Sequence, residues 1–265
     1  MSFSSGKDHQ KAMNDLALLV TADAIGAMTI ARSTDPSRVA GTLRQVTPAL
    51  IDNYSRVAGV LSSAYFTSQR LAAGLQSEFT PEIVLPDLAD ATDSAVGYTT
   101  SRLVATGDYA TATTIFSGMV SKTVLNVDRD SLLLNIENDR AKYRRVASPT
   151  ACTFCLYAAV NSFSTFSPDI TRYHDHCRCT VVPEWDEVAV DRPEYYREFE
   201  DLQAEVQQRI AIRREQVFPR WLEEWKAKGG RVGKNLTRDF LKAYPDLAFT
   251  QRNYFNEIRR IRTGI

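Results

Sequence analysis

Apolar residues recur at helical spacing through the first eighty residues of the chain. One stripe, with steps of three and four residues, consists of Met13, Leu16, Val20, Ala24 and Ala27. A second stripe of the same kind consists of Leu50, Tyr54, Val57, Leu61 and Tyr65. Such stripes predict two core helices of a bundle, and Pro48 is expected to kink or restart the second one.

The pattern then changes before the middle of the chain. Two prolines within residues 79–90 predict a linker or an extended segment. Helical periodicity returns from residue 91 to residue 145, with a break expected at Gly107 and Asp108. No catalytic group stands out in this first half, so we interpret it as a helical body.

The remaining third combines a short apolar run with charged helical segments. Residues 180–185 form an apolar, strand-like run. Pro193 is expected to open a long charged helix, which Pro219 interrupts, and two short helices separated near Pro245 follow. The sequence therefore predicts a mainly α-helical fold.

Composition and charge narrow the function classes only slightly. The chain has 265 residues, of which 44% are hydrophobic and 24% charged, a composition ordinary for a soluble globular protein. Its formal net charge is zero. A neutral molecule gives no overall electrostatic reason to bind nucleic acid or a membrane. The start of the chain lacks the apolar core of a signal peptide, so we expect no membrane contact and a reducing cytosol around the thiols.

Charge is nevertheless uneven along the chain. Residues 226–265 contain ten basic and three acidic side chains, whereas residues 184–205 contain nine acidic and two basic ones. The basic segment fits either a solvated helical tail or a surface that contacts DNA or an acidic protein.

All four cysteines and two of the three histidines lie within the 28 residues from Cys152 to Cys179. A Cys-x2-Cys pair followed about twenty residues later by His-x2-Cys allows two turns to close on one tetrahedral ion. Zinc suits mixed thiolate and imidazole ligands. The predicted structural zinc ligands are Cys152, Cys155, His174 and Cys177.

Two neighbouring residues, His176 and Cys179, are alternates for these positions. If the segment is extended, alternation puts Cys177 and Cys179 on one face and the two histidines on the other. Cysteines that are reduced and held only by packing, or that form a disulfide, are the alternatives to a metal site.

Enzymatic interpretations fit the cysteine window less well. A zinc deaminase requires a His-x-Glu motif, which neither histidine provides. A ββα-type metal nuclease using His174, Asp175 and His176 is the closest alternative. A serine protease requires a histidine base, and outside the window only His9 is present, on an N-terminus expected to be mobile. We therefore predict a protein that is not an enzyme.

The same window resembles the signature of phage MuF-like minor head (minor capsid) proteins, in the branch found in phages of actinobacteria. The matching stretches are Tyr143-Arg-Arg-Val146, Ala151-Cys-Thr-Phe-Cys155 and Tyr173-His-Asp-His-Cys-Arg-Cys-Thr-Val-Val-Pro183. The specific resemblance covers residues 143–185. One departure is Ala158-Ala-Val-Asn161, where members of the family often carry an Arg-Gly pair.

This resemblance implies a structural role in a tailed phage. Such proteins are present in few copies in the virion head, associate with the portal during head assembly in the host cytoplasm, and help in DNA packaging or ejection. The implied partners are the portal protein and the major capsid protein, with DNA a further partner of the basic segment 226–265. The expected organisation is a helical body (1–147), a small zinc-stabilised α+β knuckle (148–190) and a charged helical tail (191–265).

Overall fold

The computed structural model of the protein is mainly α-helical with a small two-stranded sheet, as the sequence predicts. It describes residues 6–33, 38–147, 151, 155–156, 159, 177–185, 194–228, 236–248, 256–258 and 260–261. The chain divides into two compact units, Met1–Ala189 and Val190–Ile265. The finer division into body, knuckle and tail stays a prediction.

Four helices build the core of the first unit. They are α1 (Gly6–Arg32), α2 (Val39–Ala72), α3 (Leu88–Thr106) and α4 (Tyr109–Asn138). Helices α2 and α4 each contact the other three, and α4 also contacts both strands of the small sheet, so α4 has a central position in this unit. On α1 the predicted stripe is confirmed, since its members Met13, Leu16, Val20 and Ala24 are buried.

Helix α2 agrees with its prediction in part. It does not restart at Pro48, because a single helix runs through this residue. Its most buried face also lies beside the predicted stripe: Ile51 and Ala58 are fully buried, whereas Val57 is 46% exposed. Helix α2 packs against α1, α3 and α4. Four of the five residues of the predicted stripe are buried or half-buried, so apolar spacing identifies this side of the helix but not its most buried line.

By length and composition alone, α1 is apolar enough to cross a membrane. Its length is 27 residues, and core helices of globular proteins pass the same test. In this fold one side of α1 packs against α2 and α4.

The expected extended segment is present between α2 and α3, and it lies along α4. The side-chain oxygen of Asn135 accepts from the backbone N–H of Glu82 at 2.7 Å, and its amide donates to the Glu82 carbonyl at 2.8 Å. Ser131 accepts from the N–H of Val84 at 2.9 Å. On its other side, Ile83 approaches Gly59 of α2 so closely that a Cβ at that glycine would clash with it.

The predicted break at residues 107 and 108 is confirmed, and its local cause is visible. Gly107 adopts the left-handed conformation, with φ 66°, and ends α3. The Asp108 carboxylate accepts hydrogen bonds from the N–H groups of Ala110 and Thr111, and so begins α4.

The predicted helix up to residue 145 is wrong, because α4 ends at Asn138 and a strand follows. Arg140, at φ 54°, redirects the chain into β1 (Lys142–Val146). Strand β1 pairs antiparallel with β2 (Thr180–Glu184), the apolar run expected to be strand-like. Lys142 pairs with Glu184 and Val146 with Thr180, so the partners are 42 to 34 positions apart in the sequence. Helical periodicity contains no information about pairing over such a distance.

The second unit contains α5 (Glu194–Ala227), α6 (Leu236–Ala243) and a 3₁₀ turn (Pro245–Leu247). Helix α5 is not interrupted at Pro219, contrary to the prediction. Trp221 stacks on Trp225, with ring centroids 5.3 Å apart, and packs edge-on against Phe240. These aromatic side chains therefore form a local core of this unit.

Candidate metal centre

The two strands bring the ends of the cysteine window together. Val146 of β1 pairs with Thr180 of β2, so the segment between them leaves and returns at one end of the ribbon. Cys177 and Cys179 immediately precede β2, and their side chains meet Cys155 in the interior. All three are free thiols, with exposed fractions of 1% for Cys155 and 3% for each of the other two.

The spacing of the three sulfur atoms suits a single ion. All three Sγ atoms lie within 4.8 Å of one another, and Cys155 Sγ lies 3.6 Å from Cys177 Sγ. In a tetrahedral zinc site with Zn–S bonds of about 2.3 Å, two sulfurs are about 3.8 Å apart. A disulfide would need about 2.05 Å. The three buried cysteines could therefore bind a metal ion.

A buried arginine of β1 contacts this cluster directly. Arg145 is 0% exposed, and its Nη2 donates to Cys155 Sγ at 3.3 Å and to Cys177 Sγ at 3.5 Å. A guanidinium group at this distance favours sulfur in its anionic form, which is the form that binds metals.

The thiols also influence one another. Hydrogen bonds with Cys155 and Cys179 hold the pKa of the Cys177 thiol well below its ordinary value, and the positive charge of Arg129 acts in the same direction. The bond with Cys177 raises the pKa of the Cys155 thiol. The three thiols are therefore coupled, since a hydrogen bond from one favours the ionised form of its neighbour.

Helix α4 fixes the backbone that carries two of the cysteines. Arg129, 1% exposed, donates to the carbonyl of Cys177 at 2.7 Å and to the carbonyl of Cys179 at 3.1 Å. The remaining guanidinium nitrogen, Nη1, donates to the side-chain oxygen of Asn126 at 3.0 Å. The two carbonyls point to α4 while the sulfurs lie in the cluster, so one arginine orients both residues.

Helix α1 holds the same segment from a second side. Gln10 donates to the carbonyls of Val146 and Arg178 at 3.3 and 3.4 Å. In return, Arg178 donates to the carbonyl of Asn14 at 3.1 Å. The cysteine segment is thus attached to the helical body by contacts that do not depend on an ion.

A buried polar cluster lies next to this attachment. His9 Nε2 and Asp128 Oδ1 are 2.8 Å apart, and the His9 ring stacks on Tyr65 at 4.1 Å. Thr180 of β2 reaches the other Asp128 oxygen at 3.4 Å. Burial, followed by the charge of Asp128, raises the pKa of Tyr65. The expectation that His9 is mobile is wrong, because this residue of α1 is fully buried against α2 and α4.

The predicted ligands divide into those that the structure describes and those that it does not. It brings Cys155 and Cys177 together with Cys179, one of the two predicted alternates. Cys152 and His174 lie outside the described residues, as do Asp175 and His176 of the nuclease alternative. The complete four-ligand set therefore stays a prediction.

Sequence reasoning missed the arginines of the site. Arg129 and Arg145 are the largest fully buried side chains of the described part, yet arginine is usually a surface residue. The one available signal was the Arg-Arg pair at 144–145, inside the stretch that carries the family resemblance.

Comparison with known protein families yields a match over most of the chain. The sequence profile of a viral family, described as VG15 protein, matches residues 2–202. The chain belongs to the VG15 protein family. The match includes all four body helices, both strands and the cysteine cluster, and it is consistent with a phage protein that acts in the virion or during host infection. No curated protein and no solved structure matches the chain significantly.

Proposed function

We propose that this protein is a structural minor head protein of a tailed bacteriophage. In this role it associates with the portal protein and the major capsid protein during head assembly in the host cytoplasm, stays in the virion, and aids DNA packaging or ejection. Membership of a viral family over residues 2–202 supports a phage role. The MuF-like signature within residues 143–185 supports the narrower assignment to the head.

The observation that carries a structural rather than an enzymatic role is the burial of the cysteine cluster. Its three thiols are 1–3% exposed, and the adjoining backbone is attached to α1 and α4. A site that has to admit a nucleic acid or peptide needs an open face, whereas a closed metal site stabilises a fold. We therefore propose that the protein is not an enzyme.

Zinc is the ion that best suits this role. Thiolate ligands select thiophilic ions such as zinc, and a closed tetrahedral set supplies folding free energy without chemistry. In small modules this contribution is on the order of 10 kcal/mol. The zinc would hold the segment between β1 and β2 in one conformation, so that the body presents a defined surface to its partners.

The basic segment 226–265 is the proposed DNA contact. Among its described residues, Arg238 and Lys242 are mainly exposed, but both lie within 4.0 Å of Asp239, which offsets part of their charge. Weak, strongly salt-dependent binding is therefore expected rather than sequence-specific recognition.

The assignment is tested with purified particles of the phage that encodes the chain. Quantitative mass spectrometry is expected to find it in the head at a few copies per particle. Co-expression with the portal and major capsid proteins of the same phage should recover a complex with the portal. Absence from the particles, together with DNA cleavage by the purified chain, would overturn the proposal in favour of the nuclease alternative.

A further inference from the structure

The position of Arg145 among the sulfurs indicates more about the metal centre than its ligand count. One Nη2 atom reaches the sulfurs of both Cys155 and Cys177, at 3.3 and 3.5 Å. We propose that Cys155, Cys177 and Cys179 bind one thiophilic divalent ion as thiolates, and that Arg145 donates N–H···S hydrogen bonds to two of them. This inference rests on the zinc centre of the proposed function; it makes Cys179, an alternate in the sequence prediction, one of the ligands and gives Arg145 a positioning role.

The assignment of Cys179 follows from its burial and its attachment. Its side chain is 3% exposed, and its sulfur lies with the other two inside a 4.8 Å cluster. Its carbonyl is held by Arg129 on the side of α4. A fixed backbone keeps this sulfur in the cluster, so binding an ion requires little rearrangement.

The role of Arg145 follows from charge. Three thiolates and one divalent cation have a net charge of −1, and an uncompensated buried charge is costly. The Arg145 guanidinium is 0% exposed and supplies the compensating positive charge at the sulfurs themselves. Thiolate ligands together with this cation favour zinc, cobalt or cadmium over magnesium and calcium, which prefer oxygen ligands.

The test uses the full chain, freed of metal and reloaded with cobalt(II), whose absorption reports the number of thiolate ligands. Zinc affinity is measured in parallel by competition with a chromogenic chelator. The variants are Cys179→Ser, Arg145→Met and Arg145→Lys. Arg144→Met is the matched control, because the neighbouring Arg144 is also buried but pairs with Glu184 at 3.1 Å. Circular dichroism establishes that each variant is folded before its affinity is compared.

We expect Cys179→Ser to weaken the sulfur-to-cobalt charge-transfer band relative to the intact chain. Loss of an outer hydrogen-bond partner typically reduces metal affinity by about 10–100-fold, so Arg145→Met should show a loss in this range and Arg145→Lys a smaller one. Arg144→Met should leave the spectrum and the affinity unchanged.

Distinct results would refute distinct statements. Unchanged spectrum and affinity in both Cys179→Ser and Arg145→Met would overturn this inference and leave the zinc centre itself intact. An equal loss in Arg144→Met and Arg145→Met would show a general effect on folding and would refute the positioning role of Arg145. An intact chain that binds neither ion would remove the zinc centre, whereas the minor head assignment would still be decided by the particle composition.

Discussion

Replacement of Arg129 by methionine should loosen the cysteine segment without disturbing the helices around it. Arg129 donates to the backbone carbonyls of Cys177 and Cys179 at 2.7 and 3.1 Å, and methionine fills a similar volume but donates nothing. Hydrogen bonds from a charged donor contribute about 1.5–3 kcal/mol each, and the two carbonyls would lose this partner. Removal of the buried charge offsets part of the loss, so we expect a net destabilisation of about 2–4 kcal/mol.

The assay is native-state hydrogen exchange followed by mass spectrometry, because it resolves the first unit from the second. The free energy of opening should fall by this amount at the amides of β2 and much less at those of α5. Arg129→Lys keeps the positive charge but lacks the two guanidinium nitrogens that reach both carbonyls, so its loss of stability at β2 should be intermediate. Arg102→Met, a change at an exposed arginine of α3, is the control and should stay within about 0.5 kcal/mol.

If the free energy of opening at the β2 amides changes by less than about 1 kcal/mol in Arg129→Met, the proposed role of Arg129 is refuted. Such a result would mean that the contacts from α1 are sufficient to hold the segment. A loss of the same size in α5 would instead indicate global unfolding.

Three further predictions concern the body. Gly59→Ala should lower the free energy of urea unfolding by about 1–3 kcal/mol, because the added Cβ clashes with the Ile83 side chain. Combining Gly59→Ala with Ile83→Ala should relieve the clash, so the double variant should lose less stability than the sum of the two single variants. Additive losses would contradict the contact. Asp139→Asn breaks a bidentate pair with buried Arg70 (2.8 and 3.1 Å), so we expect a loss of about 3 kcal/mol in thermal or urea unfolding, and a loss below 1 kcal/mol would refute it. Hydrogen bonds from Thr111 lower the pKa of the Asp108 carboxyl, so its ionised form stabilises the start of α4 fully above pH 3.8, and this stabilisation is lost as the pH falls through the lowered pKa. Asp108→Asn should therefore make hydrogen exchange in α4 less sensitive to acid. An unchanged pH profile would contradict this prediction.

Local patterns predicted the parts of this fold that local physics determines. The stripe on α1 and the break at Gly107 and Asp108 follow from helical spacing, from the left-handed conformation of a glycine and from a capping carboxylate. The strand-like run predicted at residues 180–185 contains β2 and was likewise visible from its apolar, β-branched composition.

The errors have a common physical cause, which is contact between distant residues. Strand β1 follows a helix directly and became recognisable only through its pairing with β2. His9 looked like a residue of a loose terminus because its partner, Asp128, is 119 positions away. Similarly, Arg145 contacts Cys177 across 32 positions, and no periodicity in the sequence reports such a pair.

The clustering of cysteines and histidines identified the region of the candidate site but not its geometry. Spacing favoured the Cys-x2-Cys and His-x2-Cys pairs, whereas the described cluster includes Cys179. Which sulfur atoms meet depends on how Arg129 orients the backbone ahead of β2, and that contact arises only in the folded body.

The central position of α4 has a consequence for synthesis on the ribosome. Asn135 holds the extended segment at Glu82, and Asp128 contacts His9 of α1. Both contacts therefore form only after the ribosome has synthesised α4. At elongation rates of about 5–20 residues per second, the delay between residues 82 and 135 is roughly 3–11 s. Throughout that interval the apolar faces of α1 and α2 lack the helix that covers them. We therefore expect the core of the first unit to form only after α4 has left the ribosome.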